Sequence, residues 1–217
     1  MMKKLVIFDL DGTLMNTKPG IVAGLSYAIE KAGLPVPDEE TFDTFIGPPL
    51  ESSFERVYGL DEEPMQKIIA DYREKYLAGD IYQAIPYEGI FDLLAELKKR
   101  GIDAAVATYK LESMARELLG KFHFDEYIPF VFGSNKENKL TKGDIILKGI
   151  AKSGHTKAET VMVGDSHYDA VGAEEVGVDF IGVLYGFEFK KKEDVDKFAN
   201  IGASETTKGI LDILEKN

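Results

Sequence analysis

The chain has 217 residues, 44% hydrophobic and 29% charged, which is room and composition for one α/β domain carrying an insertion. It has no cysteine, which excludes disulfides, thiolate metal sites and cysteine nucleophiles and points to the cytoplasm. Its 26 Lys and Arg against 38 Asp and Glu leave a net charge of -12, which repels nucleic acid polymers and anionic membranes and argues against both as partners.

At the N-terminus Lys3-Lys4 precedes the apolar run Leu5–Phe8, which Asp9 and Asp11 cut short of the about 7–15 apolar residues of a signal peptide. No stretch approaches the about 18 apolar residues of a membrane span. The run reads as a strand buried on both faces. From 17 to 80 only helical spacing follows. Ile21, Leu25, Ile29 and Ala32 mark a first helix, which Gly33, Pro35 and Pro37 end. Phe42 and Phe45 suggest a short second helix, Leu50, Phe54 and Val57 a third, and Ile68, Ile69, Tyr72 and Tyr76 a longer fourth.

Alternation then resumes. Apolar runs predict strands over 102–107, 128–132, 160–163 and 180–184. Ile90, Leu93, Leu94 and Leu97 predict a helix stopped by Gly101. Met114, Ala115, Leu118 and Leu119 predict one ending near Gly120, and Ile145, Ile146 and Ile150 one over 143–151. The pattern is that of an α/β protein with a doubly wound parallel sheet formed by 1–16 and 81–217. A separate all-α, four-helix insertion occupies 17–80.

In open parallel sheets, ligands bind beyond the carboxyl ends of the strands. The first strand runs into Asp9-Leu10-Asp11-Gly12-Thr13, two carboxylates at i and i+2 before a glycine that permits a sharp turn. Such a pair suits attack on phosphorus by one acid and proton transfer to the leaving group by the other. A calcium EF-hand loop would need its glycine two positions later than Gly12 stands.

The second strand ends in Thr108-Tyr109-Lys110, where a hydroxyl and amides before a helix either bind phosphate oxygens or simply cap the helix. After the third come Lys136, Lys139 and Lys142. They make a solvated loop, with Lys142 set apart by its place at a helix mouth within reach of a phosphate, and Lys139 the alternative.

The fourth strand ends in Gly164-Asp165-Ser166-His167-Tyr168-Asp169, which adds a third acid at Asp165. Two like charges about 4 Å apart cost about 4 kcal/mol at an effective dielectric of about 20, so a cation is expected among them. Oxygen ligands without cysteine favour Mg²⁺ over Zn²⁺. His123, His155 and His167 read as packing, turn or surface residues.

Together these four segments resemble the haloacid dehalogenase superfamily of phosphatases. FDLDGT at 8–13 matches the first motif, Thr108 the second, Lys142 the third and GDSHYD at 164–169 the fourth. Lys142-Gly143-Asp144 departs from the Lys-Pro-x-Pro form of motif three and is similar to the phosphoglycolate phosphatase-like or 5′-nucleotidase-like branch.

The resemblance implies a Rossmann-like core with a helical cap that closes over the substrate. It implies a hydrolase in which Asp9 forms an aspartyl-phosphate and Asp11 protonates the leaving alcohol, then activates water. Mg²⁺ would bind Asp9, the Asp11 carbonyl and Asp165, with Asp169 orienting Lys142 or a metal-bound water. Thr108 and Lys142 would hold the phosphoryl oxygens, Gly47 would lie on the cap loop that faces the substrate, and Tyr109 would either crowd the site or contact the substrate. Lys18, at the start of the first cap helix, either meets a substrate anion or is a solvated helix-end lysine. That substrate would be a small phosphate ester, whether phosphoglycolate, a sugar phosphate or a nucleoside monophosphate, turned over by a monomer or dimer.

Two other readings compete. A β-phosphoglucomutase-like phosphotransferase would carry a Glu-Asp pair where Gly164-Asp165 stands, and an arginine that the segment 46–50 lacks. A receiver-type or phosphate-sensing module would be shorter and would have no need of Asp11.

Overall fold

The computed structural model describes residues 2–135 and 139–216, so Lys136 lies outside the described residues. The chain divides into two compact units, one ending at Asn16 and resuming at Pro86, the other Thr17–Ile85.

In chain order the first unit opens with β1 (Leu5–Phe8) and β2 (Met15–Asn16). The second unit holds α1 (Lys18–Lys31), α2 (Glu39–Asp43), α3 (Leu50–Tyr58) and α4 (Glu62–Leu77). The short strand β3 (Ile85–Pro86), which pairs with β2, leads back. Then come α5 (Ile90–Lys99), β4 (Asp103–Leu111), α6 (Glu112–Lys121), β5 (Phe130–Ser134) and α7 (Lys142–Ser153). The chain finishes with β6 (Thr160–Gly164), α8 (His167–Val176), β7 (Asp179–Val183), α9 (Lys192–Val195), β8 (Gly202–Ser204) and α10 (Thr207–Leu214).

Six strands form one parallel sheet in the order β5-β4-β1-β6-β7-β8, the doubly wound Rossmann-like arrangement that the alternation predicts. β1 lies in the middle, with Phe8 in register with Val106 of β4 and Val163 of β6. A central strand covered on both faces needs apolar side chains at every position, and all of β1 is buried. Leu5 and Ile7 join the cluster built with Ile145 and Ile146 of α7 and Ala170 and Ala173 of α8. Val6 and Phe8 turn to the opposite face. From β1 the chain winds out to β4 and β5, then returns to β6 on the other side. The order therefore reverses between β1 and β6, and the crevice beyond their carboxyl ends is where such a sheet binds ligands.

The second unit is all helical, with an aromatic centre. The rings of Phe45 and Phe54 meet edge to face at 5.2 Å between centroids. Gly24 of α1 faces the Tyr72 ring of α4, where a larger side chain would hold the two helices apart. This unit runs to Ile85 rather than stopping at 80, because Asp80–Tyr82 forms a 3₁₀ turn whose neighbour Gln83 accepts the Gly20 N–H of α1 at 3.1 Å.

β4 continues past 107 to Leu111. α6 ends at Lys121, one residue past Gly120 as the spacing predicts, and the chain turns at His123, which takes a left-handed φ of 62°. β8, a Gly-Ala-Ser strand, carries too little apolar character to register as one. No helix among the described residues is long and apolar enough to cross a membrane.

Candidate active site

The switch point gathers its groups from four strand ends, all within the first unit. Asp9 follows β1 directly. Its N–H donates to the Val163 carbonyl at 2.9 Å, which carries the β1–β6 ladder one residue past the strand and fixes Asp9 at the carboxyl end of the sheet. The chain then doubles back. Gly12 has φ +87°, a left-handed value that other residues reach at a cost, and its N–H donates to the Met15 carbonyl at 2.9 Å. A Cβ on Gly12 would overlap the Asp165 carboxylate, so this turn and the end of β6 interlock.

Lys142 stands at the first position of α7. Thr141 and Asp144 form a capping box before it: the Asp144 N–H donates to Thr141 Oγ1 at 3.1 Å, and the Thr141 N–H to Asp144 Oδ2 at 2.9 Å. The Lys142 side chain is buried, with Nζ 2.8 Å from Asp9 Oδ1 and 2.8 Å from Asp169 Oδ1. The ammonium also donates to the Ala107 carbonyl at 3.0 Å. Burial works against its charge, but Asp169 and Asp9 outweigh that and hold the ammonium above its ordinary range.

Asp169 caps α8 and serves Lys142 at once. Its Oδ2 accepts from the Ser166 hydroxyl at 2.6 Å and the Ser166 N–H at 3.2 Å, which aims Oδ1 at the lysine. Asp165 accepts from the Phe187 N–H at 2.6 Å and from Thr13 Oγ1 at 3.3 Å.

Asp9, Asp165 and Asp169, all buried, each present an oxygen within 4.8 Å of the others. Burial, with Asp169 and Asp11 nearby, pushes Asp9 from its ordinary 3.8 up to about 7, against the opposing pull of Lys142. Burial, Asp169 and Asp9 raise Asp165 well above the carboxylate range. Fully ionised, the four buried carboxylates (these three and Asp11) would carry two charges more than Lys142 and Lys110, the ammoniums that meet them among the described residues, an excess that one divalent cation would match. The donor set is all hard oxygen, so the residues fit Mg²⁺.

The remaining sequence candidates fall in three places. Thr108 is buried at the end of β4, where its Oγ1 accepts the Lys110 N–H at 3.2 Å. Tyr109 turns toward α7: its hydroxyl accepts the Lys142 N–H at 3.0 Å, and Lys142 Nζ lies 5.3 Å from its ring centre. Lys139 is exposed. Lys18 and Gly47 belong to the second unit, where Lys18 pairs with Glu39 at 2.9 Å and Asp43 at 2.6 Å. The Asp11 side chain lies outside the three-carboxylate cluster and meets Lys110 Nζ at 3.0 Å.

Sequence reading gave no role to Lys110 or to Tyr185, whose hydroxyl donates to the Thr13 carbonyl at 3.1 Å and ties down the turn after β1. Lys110 has a signal in the sequence, since it lies two residues beyond Thr108 on one strand. Tyr185 has none.

Residues 6–183 match the family described as Haloacid dehalogenase-like hydrolase. The 5′-nucleotidase of Pseudomonas aeruginosa is 36% identical over 183 residues, covering 84% of this chain and 83% of that one. Tyrosine-protein kinase PtkA of Mycobacterium tuberculosis is 35% identical over 85% of this chain, which spans only 63% of PtkA. A crystal structure of a predicted phosphatase from Clostridium acetobutylicum superposes with a TM-score of 0.90 at 32% identity, covering 98% of this chain and all of the other.

Proposed function

We infer the reaction from one premise: the chain belongs to the haloacid dehalogenase-like hydrolase family and is a phosphatase. The reading we propose is a Mg²⁺-dependent phosphomonoester hydrolase acting on a small phosphorylated metabolite. The observation that carries it is the Lys142 ammonium, 2.8 Å from Asp9 and 2.8 Å from Asp169, inside a cluster of buried carboxylates.

In this reading Asp9 attacks phosphorus and the bond to the ester oxygen breaks. That oxygen leaves with the bonding pair and takes the proton of the Asp11 carboxyl. A water then attacks the aspartyl-phosphate and gives its proton to the Asp11 carboxylate. The bond from phosphorus to Asp9 breaks, returning the Asp9 carboxylate and inorganic phosphate. Lys142 holds the phosphoryl oxygens and offsets their charge, with Asp169 fixing its direction and Thr108 offering a hydroxyl at the neighbouring strand end. Mg²⁺, held by Asp9, Asp165 and the Asp11 carbonyl, supplies further neutralisation of that charge when bound.

Hydrolysis is favoured over the mutase reaction by Gly164. A side chain there would overlap Asp169, so the site has no room for a Glu-Asp pair at the end of β6. The 5′-nucleotidase relative supports nucleoside monophosphates among the candidate substrates, beside phosphoglycolate and sugar phosphates. The Thr17–Ile85 unit, with Lys18 and Gly47, is the part we assign to substrate selection.

A phosphomonoester panel, scored for inorganic phosphate with and without Mg²⁺, tests the reading. Turnover is expected that EDTA abolishes, and that Asp9→Asn abolishes while the melting transition persists. An Asp9→Asn protein that still releases phosphate at the wild-type rate overturns it.

A further inference from the structure

Two lysines reach the switch point, and the reaction above uses only Lys142. Lys110 arrives by a different route, through an irregularity in the sheet. β4 and β5 pair evenly up to Thr108 beside Gly133, but the next pair is Leu111 beside Ser134. Tyr109 and Lys110 are therefore extra residues on β4, a bulge of the kind that re-aims side chains at the rim of a sheet.

The bulge is fixed on both sides. The Lys110 N–H donates to Thr108 Oγ1 at 3.2 Å, and the Lys110 carbonyl lies so close to Gly133 that a Cβ there would overlap it. Its two residues go to different partners, Tyr109 to the backbone of Lys142 and Lys110 to Asp11. The Lys110 side chain is 6% exposed and the Asp11 side chain 9%, with Nζ 3.0 Å from Oδ2. An ion pair this deep is a fixed geometric element, unlike the mobile pairs of a surface.

We propose that Lys110 is a positioning residue for proton transfer: its ammonium, aimed by the β4 bulge, holds the Asp11 carboxyl group in the orientation that serves the leaving oxygen. The proposal rests on the reading of Asp11 as acid and base given above. Asp11 lies two residues past Asp9 but outside the three-carboxylate cluster, and Lys110 meets its carboxyl group there from the neighbouring strand. Lys110 acts through Asp11 and is not assigned a contact with the phosphoryl group.

The test is the dependence of rate on the leaving group. A poor leaving group, such as the alkoxide of an alkyl phosphate, needs the proton, whereas 4-nitrophenolate departs largely without it. Wild type, Lys110→Met, Asp11→Asn and the double variant are assayed in Mg²⁺ on both substrates.

Lys110→Met is expected to lower kcat/KM, which reports the steps up to departure of the leaving group and not the shared hydrolysis of the aspartyl-phosphate, by about 10²-fold on the alkyl phosphate, the scale of a general acid's contribution, and by no more than a few fold on 4-nitrophenyl phosphate. In the Asp11→Asn background the same substitution should change kcat/KM less than about threefold, since residues that act as a unit are not additive. Removing the ammonium leaves a buried acid without it, so melting is followed in parallel. If Lys110→Met melts below the assay temperature, Lys110→Gln is used and the same split is expected.

Equal losses of kcat/KM on both substrates, or an undiminished loss in the Asp11→Asn background, would each assign Lys110 to phosphate binding or to the fold and overturn the proposal. If wild type shows no Mg²⁺-dependent turnover, or Asp9→Asn retains it, the underlying hydrolase reading has failed and this proposal falls with it.

Discussion

Asp165 is held by its neighbours more tightly than any hydrogen-bond count conveys. Gly12 and Gly186 lie against its carboxyl group, and a Cβ on either would overlap it. At Gly12 the left-handed φ of +87° adds backbone strain to that overlap. Gly12→Ala is therefore expected to cost about 1–3 kcal/mol of stability, read as a fall in melting temperature. It should lower turnover at least tenfold, because the displaced Asp165 is a ligand in the proposed metal site. A variant with wild-type kcat would show that the interlock of the turn with Asp165 is unimportant to catalysis. Glycine in this motif serves packing against the fourth strand end as much as the turn itself.

At the scale of elements, the first residue of α7 makes polar contacts with β4, the Lys142 ammonium with the Ala107 carbonyl and the Lys142 N–H with the Tyr109 hydroxyl. The first N–H groups of a helix have no partner within it, and Tyr109 accepts that of Lys142 at 3.0 Å. Tyr109→Phe leaves this amide without the hydroxyl, at a cost of about 1–3 kcal/mol. It should lower kcat several fold through Lys142 with KM little changed, measured by steady-state kinetics beside a thermal melt. A raised KM with unchanged kcat would instead make Tyr109 a substrate contact.

The same strand shows what the sequence could and could not reveal. β1 and β6 were legible because a strand buried on both faces must be apolar throughout, and acids placed directly after one stand out. The four helices of the Thr17–Ile85 unit were legible from spacing alone. β8 was not, because Gly202-Ala203-Ser204 is defined by its pairing with β7 and not by its own side chains. Lys110 sits on a strand whose apolar run had already ended, and its direction depends on a register shift against β5 that no local pattern encodes. The tie from Tyr185 to Thr13 joins residues 172 positions apart, beyond the reach of any periodicity.

For the whole molecule, the acids at the switch point make folding depend on pH in a direction opposite to the common salt-bridged carboxylate. In the unfolded chain Asp9 ionises near its ordinary 3.8, whereas in the folded protein burial keeps its proton to about 7. Between those values the native state binds more protons, so stability falls as pH rises through the window and levels off above it. Asp165 is raised as well and works in the same direction. Lys142, held above its ordinary 10.5, stays charged throughout and contributes no slope there.

The net charge of -12 adds self-repulsion with the same sign, so wild type alone does not isolate the site. Comparison with Asp9→Asn does. In EDTA the melting temperature of wild type should fall from pH 5 to pH 8, and Asp9→Asn should fall distinctly less and be the more stable of the two at pH 8. A cation that binds only the folded state stabilises by about 2.7 kcal/mol at a hundred times its Kd. Protons compete for the same oxygens, so Mg²⁺ should raise the melting temperature of wild type more at pH 8 than at pH 5, and do little for Asp9→Asn at either. Equal slopes for the two proteins would mean that Asp9 is not the group paying for its burial. An equal Mg²⁺ effect on both would place the cation away from β1. The fold keeps Asp9 buried beside other acids, which favours its proton, and the proposed cation would make the charged nucleophile tolerable there at neutral pH.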